Sequence, residues 1–325
     1  MKLHENNILF RQAIQFTSDK IGIAPIYIEK DYWVTYALYL IVNSELGKDV
    51  VFKGGTSLSK CFGIIHRFSE DIDIVVLREN GETDSKMKTK LRYISGALEP
   101  FLPEVKIAGV TRKMGMNRKT AHSYNKVFTG EYGQVRDKLI LESTWFGHAD
   151  PFSVKSISSY VGDMVMNNDN SNIAVEYELH PFQLKVMDPE RTICEKIMSL
   201  VRFSYGKNPI VDLKIKVRHS YDLHMLLQIP KYLEFVKSEN FSSLLLQVAA
   251  DDVISFKNNN DWLNNHPNDA LIFDDLDNVW NEISKAYIGD FKNLVYGELP
   301  DEKLILVTLK KIRHRLESIN WRINN

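Results

Sequence analysis

The sequence predicts an α+β fold: a mixed β-sheet domain with flanking helices, followed by a mostly α-helical C-terminal domain. Strand-like alternation of β-branched and aromatic residues recurs from about residue 50 to residue 187. Amphipathic helical spacing precedes and interrupts those segments, and beyond residue 187 it is the dominant pattern. We therefore expect two domains, residues 1–187 and 188–325.

The bulk composition is that of an ordinary globular protein. Of 325 residues, 44% are hydrophobic and 26% are charged, which excludes a disordered or low-complexity chain. The net charge of -1 predicts no global attraction to nucleic acid, so any such contact has to come from a local basic face.

Cysteine usage and the N-terminus indicate a cytoplasmic protein. Cys61 and Cys194 lie far apart without a CxxC partner, so they support neither a zinc site nor a disulfide framework. We interpret Cys194 as a packed thiol. The polar N-terminus and the absence of a long apolar run predict neither a signal peptide nor a membrane span.

The first elements follow in the order helix, helix, strand, turn, helix and strand. Helical spacing predicts a largely buried second helix from about Tyr27 to Asn43. "DVVFKGG" predicts a strand that enters a turn, "TSLSKCFGII" a helix that starts after the glycines, and "EDIDIVVL" a second strand.

The rest of the first half predicts one helix and several strands. "MKTKLRYISGALEPFL" is amphipathic and ends before Pro103. Strand-like alternation follows in "VKIAGVTR", "AHSYNKVFTG", "DKLILESTW" and "NIAVEYELHPFQLKV". Asp188 can then cap a helix and Pro189 can occupy its first turn. In the helical half, "NNNDWLNNHPND" predicts a surface loop.

Two acidic residues in "EDIDIV" are candidate metal ligands. Successive strand side chains point to opposite faces, so Asp71 and Asp73 share one face. Magnesium prefers oxygen ligands and keeps waters and substrate phosphates in its other positions. An isolated D-x-D is more often a half-solvated edge strand, and the pattern alone leaves that alternative open.

The preceding "KGGTSLSK" is a candidate phosphate-binding turn. Gly54 and Gly55 allow close backbone approach, and the start of a helix offers free N–H groups and partial positive charge. Thr56 and Ser57 add hydroxyl donors. The pattern is not a P-loop, and such a turn is more often a plain one. Next to the paired aspartates, however, the phosphate and metal interpretations support each other.

A third carboxylate would complete a site for two metal ions. In "DKLILESTW", alternation places Glu142 on the face opposite Leu139 and Leu141, as the only acid in an otherwise apolar strand. We interpret Glu142 as that third ligand. The alternative is a charged strand end.

These residues resemble the AbiEii/AbiGii toxin nucleotidyltransferase family, which includes the MenT toxins and belongs to the DNA polymerase β-like nucleotidyltransferase superfamily. The resemblance spans residues 26–228. "IEKDYWVTYAL" is similar to the N-terminal signature around Lys30 and Asp31. "ERTICEKIMSL" and "RHSYDLHMLL" are similar to later motifs with Lys196 and Asp222. The first motif matches "KGGTSLSK" followed by "RFSEDIDI", through Gly54, Gly55, Thr56, Arg67, Ser69, Asp71 and Asp73.

The resemblance implies a nucleotidyltransferase-like sheet domain whose site is completed by Lys196 and Asp222 of the helical domain. It implies Mg²⁺-dependent transfer of a nucleoside monophosphate from an NTP to RNA, in the best-understood branch the 3′ end of tRNA. Arg67 and Ser69 would position phosphate or organise the loop. It also implies a cognate antitoxin.

Residue types alone leave several alternatives open. Lys196 lies on an apolar helix face, where it is either a snorkelling lysine or faces an anion such as a triphosphate. Asp222 could pair with Arg218 four residues before it, or orient Lys196, Arg218 or the nucleotide. The side chains of three histidines are expected to be structural: His66, His219 and His224.

The acceptor and the reaction also have alternatives. Basic clusters in "KMKTKLR", "TRKMGMNRK", "KIKVRH" and "KKIRHRLESINWR" are compatible with contacts to RNA phosphates, although charge runs are usually solvated faces. A non-catalytic nucleotide or RNA sensor with the same fold is one alternative. A nucleotidyltransferase that modifies a small molecule or a protein is another.

Overall fold

The computed structural model describes residues 1–130, 135–145, 148–167, 171–256 and 259–323. Within these ranges the chain divides into two compact units. The first unit contains residues 1–63, 68–130, 135–145, 152–167 and 171–186, and the second contains residues 64–67, 148–151, 187–256 and 259–323. No helix in the described part of the chain is both long enough and apolar enough to cross a membrane.

Helices α1 to α6 belong to the first unit. Asn6 caps α1, because its side chain accepts the backbone N–H of Leu9, and Pro25 opens α2 with its backbone angle already helical. Their bounds are α1 Asn7–Ile21, α2 Pro25–Val42, α3 Gly54–Lys60, α4 Asp84–Leu98, α5 Tyr160–Asn167 and α6 Ser171–Glu176.

The strands of the first unit form one mixed sheet with the order β3-β5-β6-β2-β1-β8-β7, and β4 pairs with β5. Strands β1 and β2 are antiparallel, whereas β2 and β6 are parallel, as are β1 and β8. The bounds are β1 Val50–Lys53, β2 Ile72–Val76, β3 Glu104–Val105, β4 Arg112–Met114, β5 Asn117–His122, β6 Leu139–Thr144, β7 Phe152–Ile157 and β8 Phe182–Met187.

Alternation along the central strands separates an apolar face from a charged one. Ile72 and Ile74 of β2 and Leu141 of β6 are buried in the main core of this unit. Helix α4 packs against β2, β5 and β6, and α2 packs against α1, α4 and α5. Each fully buried aliphatic side chain stabilises the fold by roughly 1.5–3 kcal/mol. The remaining positions, Asp73 and Glu142 among them, face the other side of the sheet.

Several expected elements differ in the structure. Helix α3 begins at Gly54 itself rather than after the glycines. Residues 106–111 and 123–130 are not strands. Of the predicted strand segment "NIAVEYELHPFQLKV", residues 172–176 lie in helix α6, whereas residues 182–186 form most of strand β8. Val127 and Phe128 donate their backbone N–H groups to the Glu29 carboxylate of α2, so these groups are not used in a strand ladder. Strand β7 and helix α5 were not predicted.

The second unit is helical. Pro189 occupies the first turn of α7, as expected from the sequence. Asp188 holds the N-cap position, but its side chain makes no capping hydrogen bond. Helix α7 packs against α9 and α11, and α14 packs against α9 and α13. The bounds are α7 Pro189–Phe203, α8 Pro209–Ile215, α9 Val217–Leu227, α10 Pro230–Lys237, α11 Glu239–Ser255, α12 Leu271–Asp274, α13 Leu276–Ile288 and α14 Glu302–Glu317.

The predicted surface loop of the helical half is partly buried. Its described residues include two short 3₁₀ helices, Asp261–Asn264 and Pro267–Asp269. Trp262 and Leu263 are buried, and the Trp262 indole donates its N–H to the backbone oxygen of Asn259. The sequence prediction missed this burial because most residues around Trp262 and Leu263 are polar. Together the sheet unit and the helical unit confirm the α+β class.

Candidate active site

Four charged side chains form a row across the middle of the sheet. The strand register pairs Lys53 with Asp73, Asp73 with Glu142, and Glu142 with Lys119. Directly paired residues point to the same face, and adjacent strands lie about 4.8 Å apart. Two carboxylates therefore lie side by side with a lysine on each flank.

Asp71 brings a third negative charge to this row. It directly precedes β2, one residue before Ile72. Burial raises the pKa of Asp73 to about 7, and the charges of Glu142 and Asp71 add to that shift. The three carboxylates singled out in the sequence therefore lie close enough together to repel one another.

Glu142 is held by two donors from β5. Asn117 Nδ2 donates to Glu142 Oε1 at 2.7 Å, and Lys119 Nζ donates to Oε2 at 2.8 Å. Burial alone would raise the pKa of Glu142, but Lys119 and Asn117 outweigh it and hold that pKa below its ordinary value. Glu142 is thus the charged member of the pair that it forms with Asp73.

Gly54 touches the Asp73 carboxylate. Its φ is +84°, and a Cβ at this position would lie 2.4 Å from Asp73 Oδ2. Glycine alone meets both conditions, because it adopts positive φ without strain and has no side chain to push the carboxylate away. The glycine turn and the aspartate strand are therefore one structural unit.

The hydroxyl groups of the turn hold it in place. Thr56 Oγ1 donates to the backbone oxygen of Asp71 at 2.6 Å and lies 3.0 Å from Ser69 Oγ. Ser57 Oγ donates to the backbone oxygen of Gly54 at 2.8 Å. A hydroxyl has only one proton to donate, so those of Thr56 and Ser57 are already used inside the protein. Both side chains are buried and tie the turn together rather than offering free donors.

The carboxylates offer the oxygen ligands that a hard divalent cation requires. Asp71 Oδ1 is buried and accepts no hydrogen bond from the described residues. A cation there would also relieve the repulsion that raises the pKa of Asp73. In the part of the chain that the structure describes, however, no three His, Cys, Asp or Glu side chains are arranged as a ready-made metal cluster. The oxygen donors of Asp71 and Asp73 nevertheless fit magnesium chemically, and Glu142 is held beside them.

The sequence did not single out Asn117, Lys119 or Arg136 as site residues. Arg136 Nη1 lies 3.7 Å from Asp71 Oδ1. Asn117 and Lys119 stand two residues apart in "NRKTAH", a spacing that places both on one strand face, and this is the signal available for them. Their partner Glu142 is about 25 residues away and is found only through the register.

In the second unit, Asp222 of α9 bonds to two buried cations. Arg67 donates to its two oxygens from Nε and Nη2, each at 2.7 Å, and Lys196 Nζ of α7 donates to Oδ2 at 2.6 Å. The Lys196 side chain is only 7% exposed, so it is not a snorkelling lysine. Burial alone would raise the pKa of Asp222, but Arg67 and Lys196 hold it below its ordinary value.

Besides His66, three titratable groups of this unit were expected to be structural. Burial lowers the pKa of His219 well below its ordinary value, and the nearby charges of Lys196 and Lys216 act in the same direction. His224 bonds to Thr308 Oγ1 at 2.8 Å. Cys194 is fully buried, and burial raises the pKa of its thiol. None of the three carries a charge that could act on a substrate at neutral pH.

The profile of the nucleotidyl transferase AbiEii toxins of type IV toxin–antitoxin systems matches residues 36–306. The chain belongs to the AbiEii nucleotidyltransferase toxin family. The match covers the glycine turn, the three carboxylates, Lys196 and Asp222. An AbiEii protein is an enzyme with an NTP substrate, and a type IV system supplies an antitoxin.

Among solved structures, the AbiEii chain is similar to MenT4, a nucleotidyltransferase toxin from Mycobacterium tuberculosis H37Rv. The TM-score is 0.52 at 16% sequence identity, over 95% of this chain and 90% of that chain. At this identity the likeness shows a common fold. No curated protein sequence matches the chain significantly.

Proposed function

We propose that this AbiEii protein transfers a nucleoside monophosphate from an NTP to RNA, at the 3′ end of tRNA, with Mg²⁺ as cofactor and pyrophosphate as the second product. One observation carries the catalytic part of the proposal. Asp73 is paired with Glu142 across the sheet, Asp71 lies beside them, and Gly54 touches Asp73. The turn that would approach the triphosphate is therefore fixed against the residues that would hold the metal.

Asp71 and Asp73 are the proposed metal ligands, and Glu142 completes the site. Bound Mg²⁺ would supply charge neutralisation and Lewis-acid activation. Lys53 and Lys119 limit the repulsion within the row, since both act to lower the pKa of Asp73. The protein's own contribution is thus a set of fixed charges that need no rearrangement during the reaction.

The proposed reaction is an in-line displacement. The oxygen of the acceptor hydroxyl bonds to the α-phosphorus of the NTP, and its proton is released. The bond from the α-phosphorus to the bridging oxygen breaks, and pyrophosphate leaves with that electron pair. No covalent enzyme intermediate is needed, so positioning and electrostatic stabilisation account for the acceleration.

Phosphate contacts are proposed for the residues of the first family motif. Gly54 and Gly55 form the first turn of α3 and would approach the triphosphate with backbone N–H groups. Thr56, Ser57 and Ser69 would act through the turn that their hydroxyls hold. Arg67 would act through Asp222, to which its guanidinium is bonded.

Lys196 and Asp222 are proposed as the catalytic pair of the helical unit. Asp222 carries one negative charge between two buried cations, Arg67 and Lys196. The trio therefore has a net positive charge, which suits an anionic ligand such as a triphosphate. Asp222 would orient the Lys196 ammonium group.

An RNA acceptor is supported by the family resemblance and by the basic edge of the row. Arg112 of β4 pairs with Lys119 across the hairpin and is exposed, so it extends the row beyond Glu142 with positive charge. Other members of the basic clusters are engaged inside the protein and add no support, among them Lys90, Arg118 and Arg315.

The test is transfer of label from each NTP labelled at its α-phosphate, with MgCl₂ and either total RNA or purified tRNA. Label that moves to the tRNA 3′ end supports the proposal. Label on a small molecule or protein supports a different acceptor, and NTP binding without transfer supports the sensor alternative. An Asp71→Asn variant controls for a contaminating transferase, because it keeps the shape of the side chain without its charge.

A further inference from the structure

Arg136 has a positively charged side chain that pairs with Asp71. Its guanidinium Nη1 lies 3.7 Å from Asp71 Oδ1, and its side chain is 45% exposed. This contact is looser than the bidentate pair of Arg67 with Asp222, whose two bonds are 2.7 Å. The Arg136 side chain is therefore near the carboxylate without being locked to it.

The backbone of Arg136, by contrast, is tightly held. Its N–H donates to Glu70 Oε1 at 2.8 Å. Its carbonyl oxygen accepts a hydrogen bond from Lys30 Nζ, which also donates to the carbonyl of Lys138 at 2.7 Å. Lys30 and Glu70 form an ion pair of their own at 3.4 Å. Both peptide groups of one residue are thus bonded to one buried charge pair.

Lys30 and its neighbours on α2 are engaged in the same way. Glu29, Lys30 and Asp31 are all buried, and successive helical residues point about 100° apart. Glu29 holds residues 127–128, Lys30 holds residues 136–138, and Asp31 bonds to Lys60 and to the backbone of Tyr160. Burying charge is costly unless each group is paired. This helix therefore uses its buried charges to fix other segments of the chain, and Lys30 fixes the segment that carries Arg136.

A fixed backbone with a half-exposed, loosely paired guanidinium suits a residue that exchanges partners. A divalent cation at Asp71 would take over the charge that Arg136 now meets. An NTP brings a terminal triphosphate, and the planar guanidinium fork matches phosphate oxygens with two parallel hydrogen bonds.

We propose that Arg136 contacts the NTP: it pairs with Asp71 when no metal is bound there and binds the terminal phosphates when Mg²⁺ is bound to Asp71. Lys30 and Glu70 are its positioning residues. The identity of the ligand rests on the proposed function. The positioning part explains the buried charge of Lys30 in the "IEKDYW" segment.

Calorimetric titration of wild-type protein and Arg136→Gln tests the inference, first with Mg²⁺ alone and then with each NTP in excess Mg²⁺. Without the competing guanidinium, Mg²⁺ alone is expected to bind at least about threefold more tightly. NTP affinity is expected to fall about tenfold, the effect of one charged hydrogen bond. The matched control is Arg78→Gln, which removes a 40% exposed arginine paired with Asp84. It is expected to change neither affinity.

The positioning role is tested with the double variant Lys30→Met/Glu70→Gln, which removes both buried charges at once. Circular dichroism and thermal unfolding establish whether it is folded. If the double variant is folded, it is expected to show the same loss of NTP affinity as Arg136→Gln. The triple variant, which combines all three substitutions, is expected to lose no more, because Lys30 and Glu70 act on the NTP only through Arg136. If it does not fold, Arg136→Gln and its control decide.

The possible failures are distinguishable. An Arg136→Gln protein with wild-type NTP affinity overturns this inference, even if transfer is lost, and leaves the proposed function in place. Additive losses in the triple variant overturn the positioning role. A wild-type protein that binds neither Mg²⁺ nor any NTP overturns the proposed function and this inference together.

Discussion

Gly54 lies so close to the carboxylate of Asp73 that a Cβ on the glycine would be 2.4 Å from Oδ2. Gly54→Ala should therefore displace the carboxylate as well as strain a backbone with positive φ. We expect transfer to fall about a hundredfold, as for a displacement of about 1 Å at a reacting centre. The strain should lower the free energy of unfolding by about 1–3 kcal/mol.

Gly63→Ala is the matched control for that prediction. Gly63 also has positive φ, +61°, but a Cβ there meets no atom within 4 Å. The Gly63→Ala protein should lose about as much free energy of unfolding as Gly54→Ala in urea denaturation, and it should keep the wild-type transfer rate. Equal losses of activity in the two variants would show that the contact with Asp73 has no special role.

The raised pKa of Asp73 predicts a pH-dependent stability. Burial, Glu142 and Asp71 raise this pKa from 3.8 to about 7. Between these values the folded protein keeps a proton that the unfolded chain has lost, so the contribution of Asp73 falls as pH rises and is smallest above about pH 7. In EDTA, Asp73→Asn should therefore be more stable than wild type at pH 8, and the difference should shrink towards pH 4.

Magnesium should act on the same group. Above pH 7, Mg²⁺ should raise the free energy of unfolding of wild-type protein, because it binds the folded state, and should have little effect on Asp73→Asn. Urea denaturation at several pH values, with EDTA or with MgCl₂, measures both effects. If the free energies of unfolding of the two proteins change with pH in parallel, Asp73 is neither destabilised by its neighbouring carboxylates nor a metal ligand.

Glu142 can be tested as a ligand separately from its role as a partner of Lys119. Glu142→Gln removes the charge but keeps an oxygen for Asn117 or Lys119. If Glu142 is a metal ligand, the variant should bind Mg²⁺ at least about tenfold more weakly than wild type in calorimetry, because one charged contact is lost. If Glu142 serves only to pair with Lys119, the variant should lose stability and bind Mg²⁺ as tightly as wild type.

Asp222 is predicted to be essential for the stability of the helical unit. Asp222→Asn removes the negative charge that Arg67 and Lys196 share in a buried environment, so the free energy of unfolding should fall by about 3–5 kcal/mol. Asp84→Asn, which breaks an exposed pair with Arg78, should cost about 1 kcal/mol or less. Similar small losses in urea denaturation would show that the buried trio is not the structural centre that its contacts indicate.

The parts of the fold that sequence predicts well are those with a strong local signal. The bounds of α2, the strand before the glycines and the strand of Asp73 agree with the alternation and spacing of their own residues. Residues 172–176 were wrongly predicted as a strand because their β-branched residues favour one, while Ala174 and Glu176 suit the helix that forms. Local propensity could not choose between the two.

The residues of the candidate site likewise divide into those that a local sequence pattern indicates and those that it does not. Asp71 and Asp73 are two residues apart, and the turn of Gly54 precedes them in the same family motif, so the sequence is enough to propose that they act together. Lys119 and Arg136 become visible only through the strand register and through the buried pair that holds the Arg136 backbone. Partners separated by many residues have no common periodicity, so no pattern in the chain indicates them.

The most direct measurement is Mg²⁺-dependent transfer of α-phosphate label to tRNA by wild type, Asp71→Asn and Asp73→Asn. Each variant keeps the size of its side chain and removes the charge proposed to hold the metal. Wild type is expected to transfer the label in a reaction that EDTA abolishes, and each folded variant is expected to lose at least about a thousandfold in rate. Transfer at the wild-type rate by either variant would contradict it.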